Sequence, residues 1–79
     1  MRIELYGMLA EAAGHPSLEI PAPAEGTVAG ALEAAAHACP ALRPHLSQVA
    51  VAVGDHLVPP EAAVDEDSEL ALLPPVSGG

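Results

Sequence analysis

Nine prolines cut this 79-residue chain into short segments, and their positions constrain the fold more than any other feature. Proline lacks the N–H that a helix interior or a sheet ladder requires. Pro21 and Pro23, Pro40 and Pro44, Pro59-Pro60 and Pro74-Pro75 therefore act as stops. Ile3 and Leu5 alternate with Arg2, Glu4 and Tyr6, which predicts a half-buried strand over residues 2–7. Leu18 and Ile20 alternate with Ser17 and Glu19 until Pro21 ends the run, a second short strand. Between them, residues 8–16 contain the breakers Gly14 and Pro16 and read as a connecting loop with about one helical turn.

Glu25-Gly26-Thr27 reads as a turn into a helix, because a threonine hydroxyl can accept from an unpaired first-turn N–H. Val28, Ala31, Leu32, Ala35 and Cys39 then recur at helical spacing, and Pro40 ends the run. Gly30 weakens this helix by ~1 kcal/mol relative to alanine. Residues 41–47 can hold a further short helical turn, limited by Pro44. Val49, Val51 and Val53 alternate with alanines as a β-branched strand, and Gly54-Asp55 turns the chain into a short return at Leu57-Val58. Residues 61–68 are acidic and loop-like, and Glu69 to Leu73 forms the last strand, with Leu70 and Leu72 on one face.

The order β-β-α-β-β-β predicts an α+β chain of the β-grasp, ubiquitin-like kind: a mixed sheet of about five strands with one main helix on one face. The last strand is expected beside the first. Residues 1–73 form the body, and 74–79 an extended tail.

Composition limits what such a body does. Hydrophobic residues make up 51% of the chain, but seventeen are alanine and Tyr6 is the only aromatic. A core of this size typically supplies only ~3–5 kcal/mol of net stability. Eleven acidic residues face two arginines and no lysine, giving a net charge of −9. With only Arg2 and Arg43 there is no basic stripe for phosphates, which disfavours nucleic acid and anionic membrane surfaces and favours basic protein partners. No apolar run suits a transmembrane span and the first residues lack a signal-peptide core, so a cytoplasmic location is expected.

Catalytic groupings are not evident. His15, His37, His45 and His56 are scattered without metal-ligand spacing, and Asp65-Glu66-Asp67 lacks the alternating ligands of a calcium loop. Cys39, the sole cysteine, falls on the apolar helix stripe and is expected to be a buried structural thiol. The chain is expected to have no independent active site and no metal.

The tail is different. Pro74-Pro75 favours a polyproline-like path away from the body, and Ser77, Gly78 and Gly79 offer progressively less side chain to obstruct a narrow channel. A free carboxylate there, with an ordinary pKa of ~3.3–3.7, is ionised and a poor electrophile. Chemistry at Gly79 therefore needs activation, most simply as an acyl adenylate.

The stretch Glu69-Leu70-Ala71-Leu72-Leu73-Pro74-Pro75-Val76-Ser77-Gly78-Gly79 resembles the C-terminal signature of MoaD-like small subunits of molybdopterin synthase. The resemblance extends over the whole chain and is shared with ThiS-type carriers and ubiquitin-related modifiers. It implies that a MoeB-like, E1-like adenylyltransferase uses ATP to activate Gly79. A sulfur donor such as a cysteine desulfurase or rhodanese then leaves a thiocarboxylate. The tail, with Pro74, Pro75, Val76, Ser77 and Gly78 threading the partner's channel, would deliver sulfur to cyclic pyranopterin monophosphate inside a MoaE-like large subunit, in a heterotetramer. On this resemblance the chain holds no permanent cofactor, and nucleotide is met only as the adenylate. Sulfur carriage for thiamine or tRNA thiolation, or protein modification, are the alternatives. Parity places Tyr6 and Leu73 on the sheet face opposite the helix, where, with Leu57, they would form an apolar partner-docking patch.

Overall fold

In the computed structural model, which describes residues 1–75, the alternation at both ends of the chain sets the centre of the sheet. Strands β1 (Arg2–Leu5), β2 (Ser17–Glu19), β3 (Ala50–Val53), β4 (His56–Val58) and β5 (Glu69–Leu73) assemble in the order β2-β1-β5-β3-β4. The first and last strands are parallel neighbours, with Ile3 opposite Leu70 and Leu5 opposite Leu72. The other pairings are antiparallel. Ile3, Leu5, Leu70 and Leu72 share one face and are each at most 4% exposed. This is the expected β-grasp sheet, with helices over one face and the other open.

Helix α2 (Val28–Ala38) supplies Val28, Ala31 and Ala35 to the core. Its start is held from two directions. The Thr27 hydroxyl accepts from the Gly30 N–H at 3.2 Å, while the Val28 and Ala29 N–H groups donate to the carbonyls of Ala62 and Pro60 at 2.9 and 2.8 Å. Helix starts leave such donors without intrahelical partners, and here three of them are satisfied. Residues 61–68 are thus more than a solvated loop. Ala63 bridges Thr27, Val64 is buried, and the Val64 N–H donates to the Gly26 carbonyl at 2.8 Å.

The acidic turn is also structural. Asp65 Oδ1 accepts from the Asp67 N–H at 2.9 Å, and the Ser68 hydroxyl accepts from the Asp65 N–H at the same distance. Glu66 accepts from the Ala22 N–H at 3.0 Å and so ties this turn to the proline-rich crossover.

Gly30 has a packing reason to be glycine. A Cβ there would lie 3.0 Å from the Pro23 Cβ and 3.4 Å from that of Glu25, so the crossover loop lies directly on the helix.

Two expectations are corrected and two are extended. The first strand ends at Leu5 rather than at residue 7, because Gly7 turns with φ 56° and ψ −132°. Residues Met8–Ala13 form a six-residue helix, α1, that buries Leu9 completely. Pro40–Gln48 is a nine-residue 3₁₀ segment that completely buries Leu42 and packs against both α1 and α2. Cys39 is not buried on the helix stripe. It is half-buried at the α2 C-cap, with an extended φ of −141°, because Pro40 stops the helix at Ala38.

Candidate functional site: the open sheet face and the root of the tail

The registers specify which side chains share the open face. Glu4 lies opposite Ala71, Ala71 opposite Ala52, and Ala52 opposite Leu57, one row across four strands. Leu73 lies opposite Ala50 in the next row. The register of Leu5 with Leu72 carries Tyr6 to the same end of the sheet as Leu73. Tyr6 and Leu73 therefore come together where the chain leaves β5. Leu57 stands apart on the outer strand, on the far side of Ala52.

Tyr6 is 46% exposed and Leu57 71%, whereas Leu73, expected in the docking patch, is half-buried. Between the two projecting side chains the floor is alanine, Ala52 opposite Ala71, with Ala50 in the next row. The sequence reading missed this floor, although its signal is visible in Ala50-Val51-Ala52-Val53 and Leu70-Ala71-Leu72, where every second residue is small. Methyl side chains leave a shallow groove bordered by Tyr6, Glu4, Glu69 and Gly54. Met8, the first residue of α1, is 49% exposed and adds apolar surface next to the Gly7 turn.

The groove has an acidic margin. The Tyr6 hydroxyl donates to the Glu4 carboxylate at 3.2 Å. That hydrogen bond, and then the carboxylate's charge, raise the phenol above its ordinary value. Arg2, the lone cation on this face, lies between Glu19 and Glu69 in register. Arg43 lies elsewhere and pairs with Glu33 at 3.3 Å. A partner covering this face must meet an apolar centre and net negative charge.

Of the tail residues expected to act, Pro74 and Pro75 are described, half-buried and exposed respectively. Val76, Ser77, Gly78 and Gly79 lie outside the described residues. Regular pairing ends at Leu73, as the two prolines require. Among the described residues no group of three or more His, Cys, Asp or Glu is placed to hold a metal ion, and no helix is long and apolar enough to cross a membrane.

An open-faced β-grasp sheet whose last strand runs into a proline-led tail defines the ubiquitin-like class of small carriers and modifiers. The chain belongs to the ThiS family, whose pattern matches residues 3–79. Among solved structures, the small archaeal modifier protein 1 of Haloferax volcanii is similar at 31% identity and a TM-score of 0.81, over 99% of this chain and 97% of that one. The small archaeal modifier protein 1 of Methanosarcina acetivorans shares the fold at 23% identity and a TM-score of 0.79, over 99% and 94%. A chain in the complex of subunits 1 and 2 of molybdopterin-converting factor from Helicobacter pylori shares it at 24% identity and a TM-score of 0.67, over 99% and 96%. Comparison with curated proteins gives no sequence match.

Proposed function

We propose that this chain is a sulfur carrier that works through Gly79, and that it serves as the small subunit of a molybdopterin synthase. The observation that carries the reading is the extent of the family match. The ThiS pattern runs through residue 79, so Gly78-Gly79 is part of what is matched, not an appendage to it.

The chemistry follows from an inert carboxylate on a chain whose described residues bring no group of three His, Cys, Asp or Glu together to hold a metal ion. An E1-like adenylyltransferase joins the Gly79 carboxylate to AMP from ATP and releases pyrophosphate. A donor's persulfide then attacks the acyl carbon, forming a C–S bond as AMP leaves; a thiol cleaves the resulting acyl disulfide, forming a disulfide with the donor's cysteine sulfur and releasing the Gly79 thiocarboxylate. The small residues at 77–79 obstruct entry to a narrow site least, and Pro74 and Pro75 lack the N–H that would continue the sheet pairing. The open face, with Tyr6, Leu73 and the alanine floor, docks on an apolar, basic-rimmed surface of a MoaE-like large subunit. The glutamates around Tyr6 speed that encounter.

A second reading, a modifier joined to protein amines, is favoured by the 31% identity to small archaeal modifier protein 1. Deletion of Gly78-Gly79 tests both readings, since it abolishes sulfur transfer and conjugation alike. Retained function in the truncated chain refutes both. Restored molybdopterin synthesis by the full chain in a host lacking its own small subunit supports the carrier. Amide-linked conjugates of higher mass, without that restoration, support the modifier.

A further inference from the structure

The end of β5 does not run freely into the tail. A Cβ built on Gly7 would lie 3.1 Å from Pro74 Cγ and 4.0 Å from Pro74 Cδ. The proline ring is therefore seated against the backbone of the turn between β1 and α1. That turn is fixed in its own right. The Gly7 carbonyl accepts from the Ala10 N–H at 3.1 Å, and the Tyr6 carbonyl from the Leu9 N–H at 3.1 Å, while Leu9 is wholly buried. Gly7 itself has φ 56° and ψ −132°, a conformation open to glycine and strained for other residues. A rigid turn with no side chain thus provides a flat seat for the first residue of the tail, adjacent to Tyr6.

We propose that Gly7 is a positioning residue for the tail: its bare backbone receives the Pro74 ring and fixes the direction in which the chain leaves the body at Pro74, relative to the Tyr6 face. The inference rests on the carrier reading for its consequence, but the seat is a property of the free chain. Its importance follows from length. The five residues beyond Pro74 can reach at most ~18 Å, and a swing of about 30° at the root would displace the end by roughly 9 Å. A partner that grips the open face and also accepts Gly79 in a narrow channel needs that root held in place. Gly7 is then a specificity element far in sequence from the residues that react.

The test has a structural arm and a kinetic arm. In the free full-length chain, nuclear Overhauser contacts between the Gly7 α-protons and the Pro74 ring protons are expected, and their absence overturns the proposal. In the kinetic arm, adenylation by a matched activating enzyme is measured for the wild type, Pro74→Ala, Pro75→Ala, Gly7→Ala and Gly7→Ala/Pro74→Ala. Pro74→Ala is expected to lower kcat for adenylation roughly ten-fold with the KM for the carrier little changed, as a misplaced reacting group does when docking is intact. Pro75→Ala removes equal stiffness without touching the seat and is expected to cost much less. The double variant should be less impaired than the two single effects multiplied together, because the new Cβ no longer meets a ring.

Equal effects of Pro74→Ala and Pro75→Ala overturn the seat in favour of simple stiffness. Fully multiplicative effects of Gly7→Ala and Pro74→Ala reduce the role of Gly7 to backbone strain and also overturn it. Should Gly7→Ala not fold, the comparison of the two proline variants decides alone. If the wild type is not adenylated at all, the carrier reading fails, while the Overhauser contacts still decide the seat.

Discussion

Replacing Leu9 by alanine should cost this protein most of its stability, although sequence patterning alone leaves Leu9 in a connecting loop. Its side chain has no exposed surface and belongs to the cluster formed by the sheet, α2 and the 3₁₀ segment. Buried Leu→Ala changes cost about 2–5 kcal/mol, from lost transfer energy and the cavity left behind. A core with no aromatic and few large aliphatics supplies only ~3–5 kcal/mol in total. A central cost of about 3 kcal/mol would leave roughly 1 kcal/mol, or about five folded molecules for each unfolded one. The midpoint of thermal unfolding should fall by more than about 10 °C, since each kcal/mol is worth ~4–8 °C in a domain this small. Urea denaturation followed by far-ultraviolet circular dichroism is the suitable assay, because the chain lacks tryptophan and Tyr6 is half exposed. A loss below about 0.5 kcal/mol is what a surface position gives, and it would refute the packing assigned to α1.

Thr27→Ala should cost about 1 kcal/mol by removing the acceptor for the Gly30 N–H, measured by the same denaturation. A smaller loss than at typical caps would show that Ala62 and Pro60 carry the helix start between them. Glu4→Gln should lower the phenol pKa of Tyr6 toward its ordinary value. The carboxylate now accepts the phenol's proton and opposes the phenolate's charge, and an ultraviolet phenolate titration reads the change directly. Tyr6→Asp should leave the melting curve nearly unchanged and weaken binding to a large subunit in a calorimetric titration. Unchanged affinity would remove the open face as the docking surface.

Much of the fold is legible because it rests on parity and helical period. Ile3, Leu5, Leu70 and Leu72 announce the central strands, and the spacing from Val28 to Ala35 announces α2. What is not legible depends on distant partners. Helix α1 is too short to show a period and too short to be stable alone. It exists because Leu9 reaches the core and the 3₁₀ segment covers it. Leu42 lies between Pro40 and Pro44, where local propensity argues against regular structure, yet it is wholly buried. Val64 sits in an acidic stretch whose pattern resembles a solvated loop, and its role emerges only where its N–H meets Gly26.

The candidate site divides the same way. Tyr6 and the proline-led tail stand out in sequence as a lone aromatic and a change of composition. The alanine floor does not, since alanine is everywhere in this chain and only the register shows that Ala52 and Ala71 are aligned. Gly7 is equally silent, because its meaning lies in Pro74, at the far end of the chain.

The central claim is that the end of this chain carries sulfur as an acyl group. Its most direct test is the intact mass of the protein, with fragmentation to locate any change, after incubation with ATP, an activating enzyme and a sulfur donor. A gain equal to the replacement of one oxygen by sulfur, located at Gly79 and absent without ATP, is the result the account predicts. An unchanged mass under conditions that convert a known carrier, or a sulfur located on Cys39 instead, would contradict it.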